Sequence, residues 1–537
     1  MTRARVDAWT AVTLACAALV AGPLLGLPIS FAVEPGGLGE FSGLVPEALS
    51  ATAILLVGVG AGTLLLGTAL ALLVTFCDFP GRGWIEWALV LPLAMPGYVF
   101  TLFALGLEVP GIRSSLGAVC VLTLVLYPYV YLLARAAFLA QSRTLLEAAR
   151  GLGLSRRAAV WRVGLPLARP AILGGVALAL MEALADFGTV NLLGVQTFTD
   201  AIYRTWFVAF DREAGMQLAM LLVSVTLTLL VLERLARGRA QYHQHAARGD
   251  VAPPVRLRGV AAAAAVLAPL ALVGFVVAAP LVQLGVWSVE SIRADLLAPE
   301  FAAAARNSVL LAAMSAVLVP AAAVLLAYGA RASRSRGASV GARVATIGYG
   351  LPGSVVAVAV IVPLGWLERR FDAVAGTGLL FTGTVIGLFY AYLVRFLALA
   401  WGAVEATLAR IPPQLDDAAR GLGADRLDVL ARVHLPLMRA GLATAALLVF
   451  VEVMKELPAT LLLRPLGGDT LAIAVWQATS ESLFETAALP SLLIVLVGLL
   501  PVAAMIRLSG RRGAELEAAQ AAGAWAEGLE QRREVPA

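Results

Sequence analysis

Long apolar stretches alternate with short polar ones along nearly the whole chain, and the rhythm is run through twice. A helix needs about twenty apolar residues to cross a bilayer. Twelve stretches reach that length, six in each half. The first runs from about Trp9 to Phe31 behind Arg3 and Arg5; it is too long for a secretory signal and is expected to stay as a helix. The second covers roughly Ala51 to Phe76, and the third, near Trp84 to Leu107, contains Pro92 and the pair Pro96-Gly97, which should loosen it. Tyr127, Tyr129 and Tyr131 mark the fourth, Glu182 and Asp186 lie in the fifth, and the segment from Asn191 to Gln217 leads to the sixth. The second half echoes these marks with Pro352-Gly353 in its third stretch and Tyr390 and Tyr392 in its fourth. Stretches this long and continuous predict helices rather than a barrel.

Composition narrows the class. With 60% apolar residues, only 14% charged ones and a mean hydropathy of +0.87, an ordinary soluble protein is excluded. Arginines gather at alternate connections, and the segment with Glu34, Glu40 and Glu47 carries no basic residue, so charge predicts orientation. Six spans per half return the chain to its starting side, which puts both termini in the cytoplasm; Arg204, Arg212 and the Arg369-Arg370 pair run against the trend. The net charge of +5 then reflects orientation, with no nucleic-acid partner implied. The expected division is a first half at 1–240, a cytoplasmic linker at 241–258, a second half at 259–510 and a polar tail at 511–537.

The polar connections after the fourth and tenth stretches share one sequence. Glu147-Ala148-Ala149-Arg-Gly-Leu-Gly153 leads to Leu165-Pro166, and Asp417-Ala418-Ala419-Arg-Gly-Leu-Gly423 leads to Leu435-Pro436. The offset is constant, 417 − 147 = 270 and 436 − 166 = 270, and thirteen of twenty-four aligned positions are identical. A duplicated module is the only economical reading. Each copy predicts a helix ended at a glycine turn, a second helix capped by Ser155 or Asp425, and a proline that ends it. An exposed amphipathic helix of this kind suits docking into a groove on a partner. A basic loop that only fixes orientation, or a DNA-reading helix-turn-helix, would need no such duplication inside a membrane protein.

The intramembrane charges repeat as well. Glu182 aligns with Glu452 and Asp186 with Glu456, again at 270, and Lys455 is the only lysine in the chain. A spacing of four predicts both carboxylates of a half on one helix face. Charges at membrane depth are costly and usually face a bundle interior or a wet path, so a path or gate is one reading and a helix-tying ion pair the other. Cys16, Cys77 and Cys120 show no pairing or ligand pattern, and His243 and His245 in the linker read as solvated, so no metal site is expected. No phosphate-cradling motif is present.

The duplicated loop resembles the signature loop of ABC importer permeases, with its Glu-Ala-Ala, glycine and distal Leu-Pro; Asp417 departs by a shorter carboxylate. The resemblance implies that 142–166 and 404–436 are coupling loops, with Glu147, Ala148, Ala149, Gly153, Leu165 and Pro166, and Asp417, Ala418, Ala419, Gly423, Leu435 and Pro436, engaging a cytoplasmic ABC ATPase dimer. It implies the type I permease fold, ATP and Mg held by that partner, no cofactor on this chain, and a periplasmic or lipid-anchored substrate-binding protein at a bacterial inner membrane. Glu182-Ala-Leu-Ala-Asp186-Phe-Gly and Val451-Glu452-Val-Met-Lys455-Glu456-Leu-Pro are similar to ferric-iron importer permeases with fused halves. Fe(III) is the implied cargo, while thiamine, phosphonate and polyamine remain open. A proton-coupled carrier using Glu182, Asp186, Glu452 and Glu456 is the rival class, and a membrane enzyme finds no converging nucleophile, base and metal.

Overall fold

The computed structural model describes residues 8–28, 39, 43–141, 143–237, 254–294, 300–333, 335–375 and 381–504. Glu34, Glu40, His243, His245, most of the linker and the 511–537 tail lie outside the described residues. Among the described residues, ten helices are long and apolar enough to cross a membrane. Of the twelve expected spans, the third, already expected to be loosened by its prolines, is a broken pair that would count as an eleventh, and the helix in the ninth position is interrupted at its Pro-Gly pair and is not apolar enough to count. In the third position, Arg82–Ala94 and Gly97–Gly106 meet at 88°. Met95 is extended there, the conformation forced on a residue before proline, and Pro96 leads the next helix. In the ninth, Arg336–Ala345 is separated from Gly353–Ala375 by a tight turn and an extended Leu351. Glu368, Arg369 and Arg370 make the far end of that helix too polar for an uninterrupted apolar span.

Helix breaks leave carbonyls without intrahelical partners, and the tyrosines supply donors. Tyr127 donates to the Leu89 carbonyl at 3.0 Å and Tyr131 to that of Glu86 at 2.8 Å, both at the end of the short helix Arg82–Ala88. Tyr392 in Val385–Leu408 pairs with the Thr460 hydroxyl at 2.6 Å. These rings are fully buried and form much of the core between spans.

Two local expectations change. Pro166 and Pro436 do not end their helices. The segment Arg156–Ala185 is one span and Arg426–Met454 another. Just before each proline the helix widens, with Leu165 N–H donating five residues back to Val160 and Leu435 N–H to Leu430. A proline N–H is missing by nature, and placing it at a wide turn lets the helix run on. The second change concerns Glu182/Asp186 and Glu452/Glu456, which do not share a helix face. The helices stop at Ala185 and Met454, so Asp186 and Glu456 stand beyond the ends, in the turn that starts a further short helix.

The halves are interlocked by their first helices. Span one, Ala8–Pro28, packs along Phe301–Ser333 and Arg336–Ala345 of the second half. Trp9 meets Tyr328 edge-on at 5.1 Å, and a methyl group at Gly329 would strike Thr13. Conversely, Phe275 of span seven, Gly259–Arg293, lies 5.7 Å from Phe100 and Trp287 covers Gly106 in the first half. Near the loops, Cys77-Asp78 forms a two-residue parallel bridge with Val255-Arg256, which pins the end of the linker to the first half.

Candidate functional site

The two duplicated loops have the same geometry. The helices Arg143–Gly151 and Pro413–Gly421 are followed by Gly153 and Gly423, both at φ +89°, a region that only glycine enters cheaply. Ser155 then accepts from Ala158 N–H at 3.3 Å, and Asp425 from Asp428 N–H at 2.7 Å, as caps of the second helices. Ala149 is buried against Ala159, Phe76 and Val163, so this alanine seats the loop on the bundle. Glu147, Ala148, Asp417 and Ala418 face outward instead, with Asp417 bonded to Arg420 at 2.6 Å. Leu152 and Leu422, equivalent by the repeat, are 87% and 90% exposed, and Trp161 is 62% exposed. These apolar side chains are held out on an otherwise charged surface. Leu165 and Leu435 are half-buried, and Pro166 and Pro436 exposed, at the wide turns where the loops join the spans.

At membrane depth the four aligned carboxylates and Lys455 converge on one cavity of about 110 Å³, lined by both halves. Their roles differ. Asp186 accepts from Thr189 N–H at 2.9 Å, Val190 N–H at 3.2 Å and the Thr189 hydroxyl at 2.8 Å, capping Gly188–Leu192. Glu456 accepts from Ala459 N–H at 3.0 Å, capping Pro458–Leu463, and also pairs with Arg395 at 3.3 Å. Each cap packs against a Pro-Gly break. A methyl at Gly97 would lie 2.5 Å from Thr189 Oγ1 and 3.0 Å from Asp186 Oδ2, and one at Gly353 would lie 2.6 Å from Glu456 Oε1. The Pro-Gly pairs are therefore elbows shaped to receive the capped turns. Glu452 pairs with Lys455 at 2.8 Å, both about a quarter exposed to the cavity. Glu182 lines the same cavity and has Glu452, Lys455 and Arg395 as charged neighbours. Counting formal charges, two cations against four carboxylates gives 2 − 4 = −2.

On the side away from the loops, the first half meets the second through Trp476, whose indole N–H donates to Asn191 at 3.0 Å. Asn191 in turn donates to Asp200 at 2.7 Å, while Phe187, which also lines the cavity, packs at a tilt against Tyr203 at 5.0 Å and Trp476 at 5.8 Å. Burial pushes the Asp200 carboxyl up from its ordinary value, against the pull of Asn191 and Arg204.

Two contributors escaped the sequence reading. Arg395, 13% exposed, was signalled only by being a lone arginine in an apolar span. Asp416, one residue before the duplicated motif, takes Arg331 at 3.0 Å and the buried His434 at 2.8 Å, tying the second loop to span eight. The aligned residues of the first half are Leu146 and Gly164, so no repeat pointed to this network.

The family model of the binding-protein-dependent transport system inner membrane component matches residues 63–236 and again 319–514. The chain belongs to this family. It is a fused double permease of the ABC transporter type, and the two matches are its two halves. The Fe(3+)-transport system permease protein FbpB 2 of Haemophilus influenzae is 29% identical over 85% of this chain and 88% of that one. A probable molybdenum ABC transporter permease of Haloferax volcanii is 31% identical over 43% of this chain and 92% of the other. A solved bacterial alginate ABC transporter, in complex with an alginate pentasaccharide-bound periplasmic protein, is 16% identical with a TM-score of 0.38, covering 46% of this permease and 93% of that chain. The permease is accordingly a multi-span inner membrane protein.

Proposed function

We propose that the permease carries Fe(III) through the cavity between its halves, driven by ATP hydrolysis on a partner ABC ATPase dimer docked on the two duplicated loops. The observation that carries the reading is the excess of carboxylates in a cavity of about 110 Å³. A chamber with formal charge −2 attracts a cation and repels a phosphonate. Its volume suits a metal ion with a few waters, which favours iron over the larger cations thiamine and polyamine. The name of the Haemophilus relative points the same way.

In this reading the loops and termini are cytoplasmic, and ATP and Mg are bound by the ATPase. The substrate-binding protein sits over the segments Asn191 to Gln217 and Arg464 to Glu485. Closure of the ATPase dimer draws together the exposed Leu152 and Leu422 faces, and the rigid spans above convert this into opening of the Trp476–Asn191 rim. The duplicated loops also set the reading against a proton-coupled carrier, which has no use for them.

The test is uptake of radiolabelled Fe(III) into proteoliposomes holding the permease, its ATPase and its binding protein, with ATP supplied or withheld. ATP-dependent accumulation is expected. Accumulation of another ligand alone would discard iron, and uptake driven by a proton gradient without ATP would discard the coupling role of the loops.

A further inference from the structure

Lysine and arginine together number 40, and Lys455 is the single lysine among them. The difference in chemistry bears on its position. Guanidinium is a planar fork that locks onto carboxylates through paired bonds, whereas an ammonium on a four-carbon stem is a compact, mobile point charge. The two cations of the cavity divide along this line. Arg395 is fixed, buried beside Glu456 and 5.6 Å from the Phe396 ring. Lys455 holds a single carboxylate oxygen of Glu452 at 2.8 Å, and its side chain is 26% exposed to the cavity.

The carboxylates divide as well. Asp186 and Glu456 spend their oxygens on capping short helices, and Glu456 also takes Arg395. Glu182 and Glu452 remain as the two that face the cavity without a structural duty, one from each half at equivalent positions of the repeat, and Lys455 is the only mobile cation between them. We infer that Lys455 is a tethered counter-ion: its ammonium occupies the Glu182 and Glu452 carboxylates in place of cargo, and only a trivalent metal cation displaces it.

The inference rests on the cavity being the cation path. A tethered ammonium competes at the high effective concentration of an intramolecular partner, so a free mono- or divalent ion does not dislodge it. An ion of higher charge gains proportionally more from two facing carboxylates, and the stem lets the ammonium swing aside. Lys455 thus sets a charge threshold, and the alternation of the two halves can pass iron without passing ions of lower charge.

The test uses the complete complex, with its ATPase and binding protein, in proteoliposomes containing calcein, whose fluorescence Mn²⁺ quenches on entry. During ATP turnover the wild type should admit Mn²⁺ no faster than protein-free vesicles, while Lys455→Met admits it at least ten-fold faster. Adding Glu182→Gln and Glu452→Gln to that variant should bring the leak back down. Should Lys455→Met fail to assemble, Lys455→Gln retains a hydrogen bond to Glu452 without the charge, and the same leak is expected. Neutral variants that assemble, hydrolyse ATP and stay closed to Mn²⁺ would overturn the counter-ion. The Mn²⁺ signal is independent of the iron reading. A leak in a permease that carries no Fe(III) would remove iron and keep the inference, and Fe(III) uptake with a tight Lys455→Met would do the reverse.

Discussion

Replacing Arg395 by methionine isolates the fixed ion pair of the cavity. The guanidinium lies 3.3 Å from Glu456 and both side chains are nearly buried, at 13% and 5% exposure. At that distance and an effective dielectric of about 20, the attraction is about 5 kcal/mol. Removing one partner leaves the other charge uncompensated, which typically costs about 3–5 kcal/mol. Here Glu456 keeps the Ala459 N–H, a bond of the charged class worth roughly 1.5–3 kcal/mol, so the lower end applies and about 3 kcal/mol is expected. The readout is the apparent unfolding midpoint in detergent at one fixed scan rate, because membrane proteins of this size rarely refold and the midpoint depends on rate. Arg395→Met should fall well below wild type, and the double variant Arg395→Met with Glu456→Gln should recover at least half of the loss, since an apolar and a neutral group no longer conflict. Lys455→Met serves as a comparison. Its pair is about a quarter exposed on both sides, and its loss should be about 1 kcal/mol or less. A single variant as stable as wild type, or a double variant as unstable as the single, would refute the argument.

Two further outcomes test the loops. Glu147→Arg combined with Asp417→Arg should abolish co-purification of the ATPase while membrane insertion is unchanged, and a variant that still binds the ATPase would remove the docking role. Asp416→Asn frees the second loop from Arg331 and His434 but touches nothing in the first; uptake per ATP hydrolysed should fall by about half or more while ATPase binding persists, and an unchanged ratio would make the network purely structural.

The features legible in the sequence were the local ones. Twelve apolar stretches gave the helical membrane architecture because the cost of an unpaired peptide group in hydrocarbon leaves few alternatives. The duplicated loop was readable down to its turn, since a left-handed residue needs glycine and an N-cap needs a short oxygen side chain; Gly153, Gly423, Ser155 and Asp425 do what their types require. The repeat also singled out the carboxylates that line the cavity. What they do was decided elsewhere. Asp186 and Glu456 became caps because the helices stop at Ala185 and Met454, and they stop where the Gly97 and Gly353 elbows leave room for a turn. Spacing by four implied a shared face only for a helix that continues. Arg395, the Asp416 network, the Trp476 to Asn191 contact across the halves and the exchange of first helices all join residues far apart in the chain. No periodicity encodes such pairs, because each depends on which buried charge or ring finds a partner once the spans have packed.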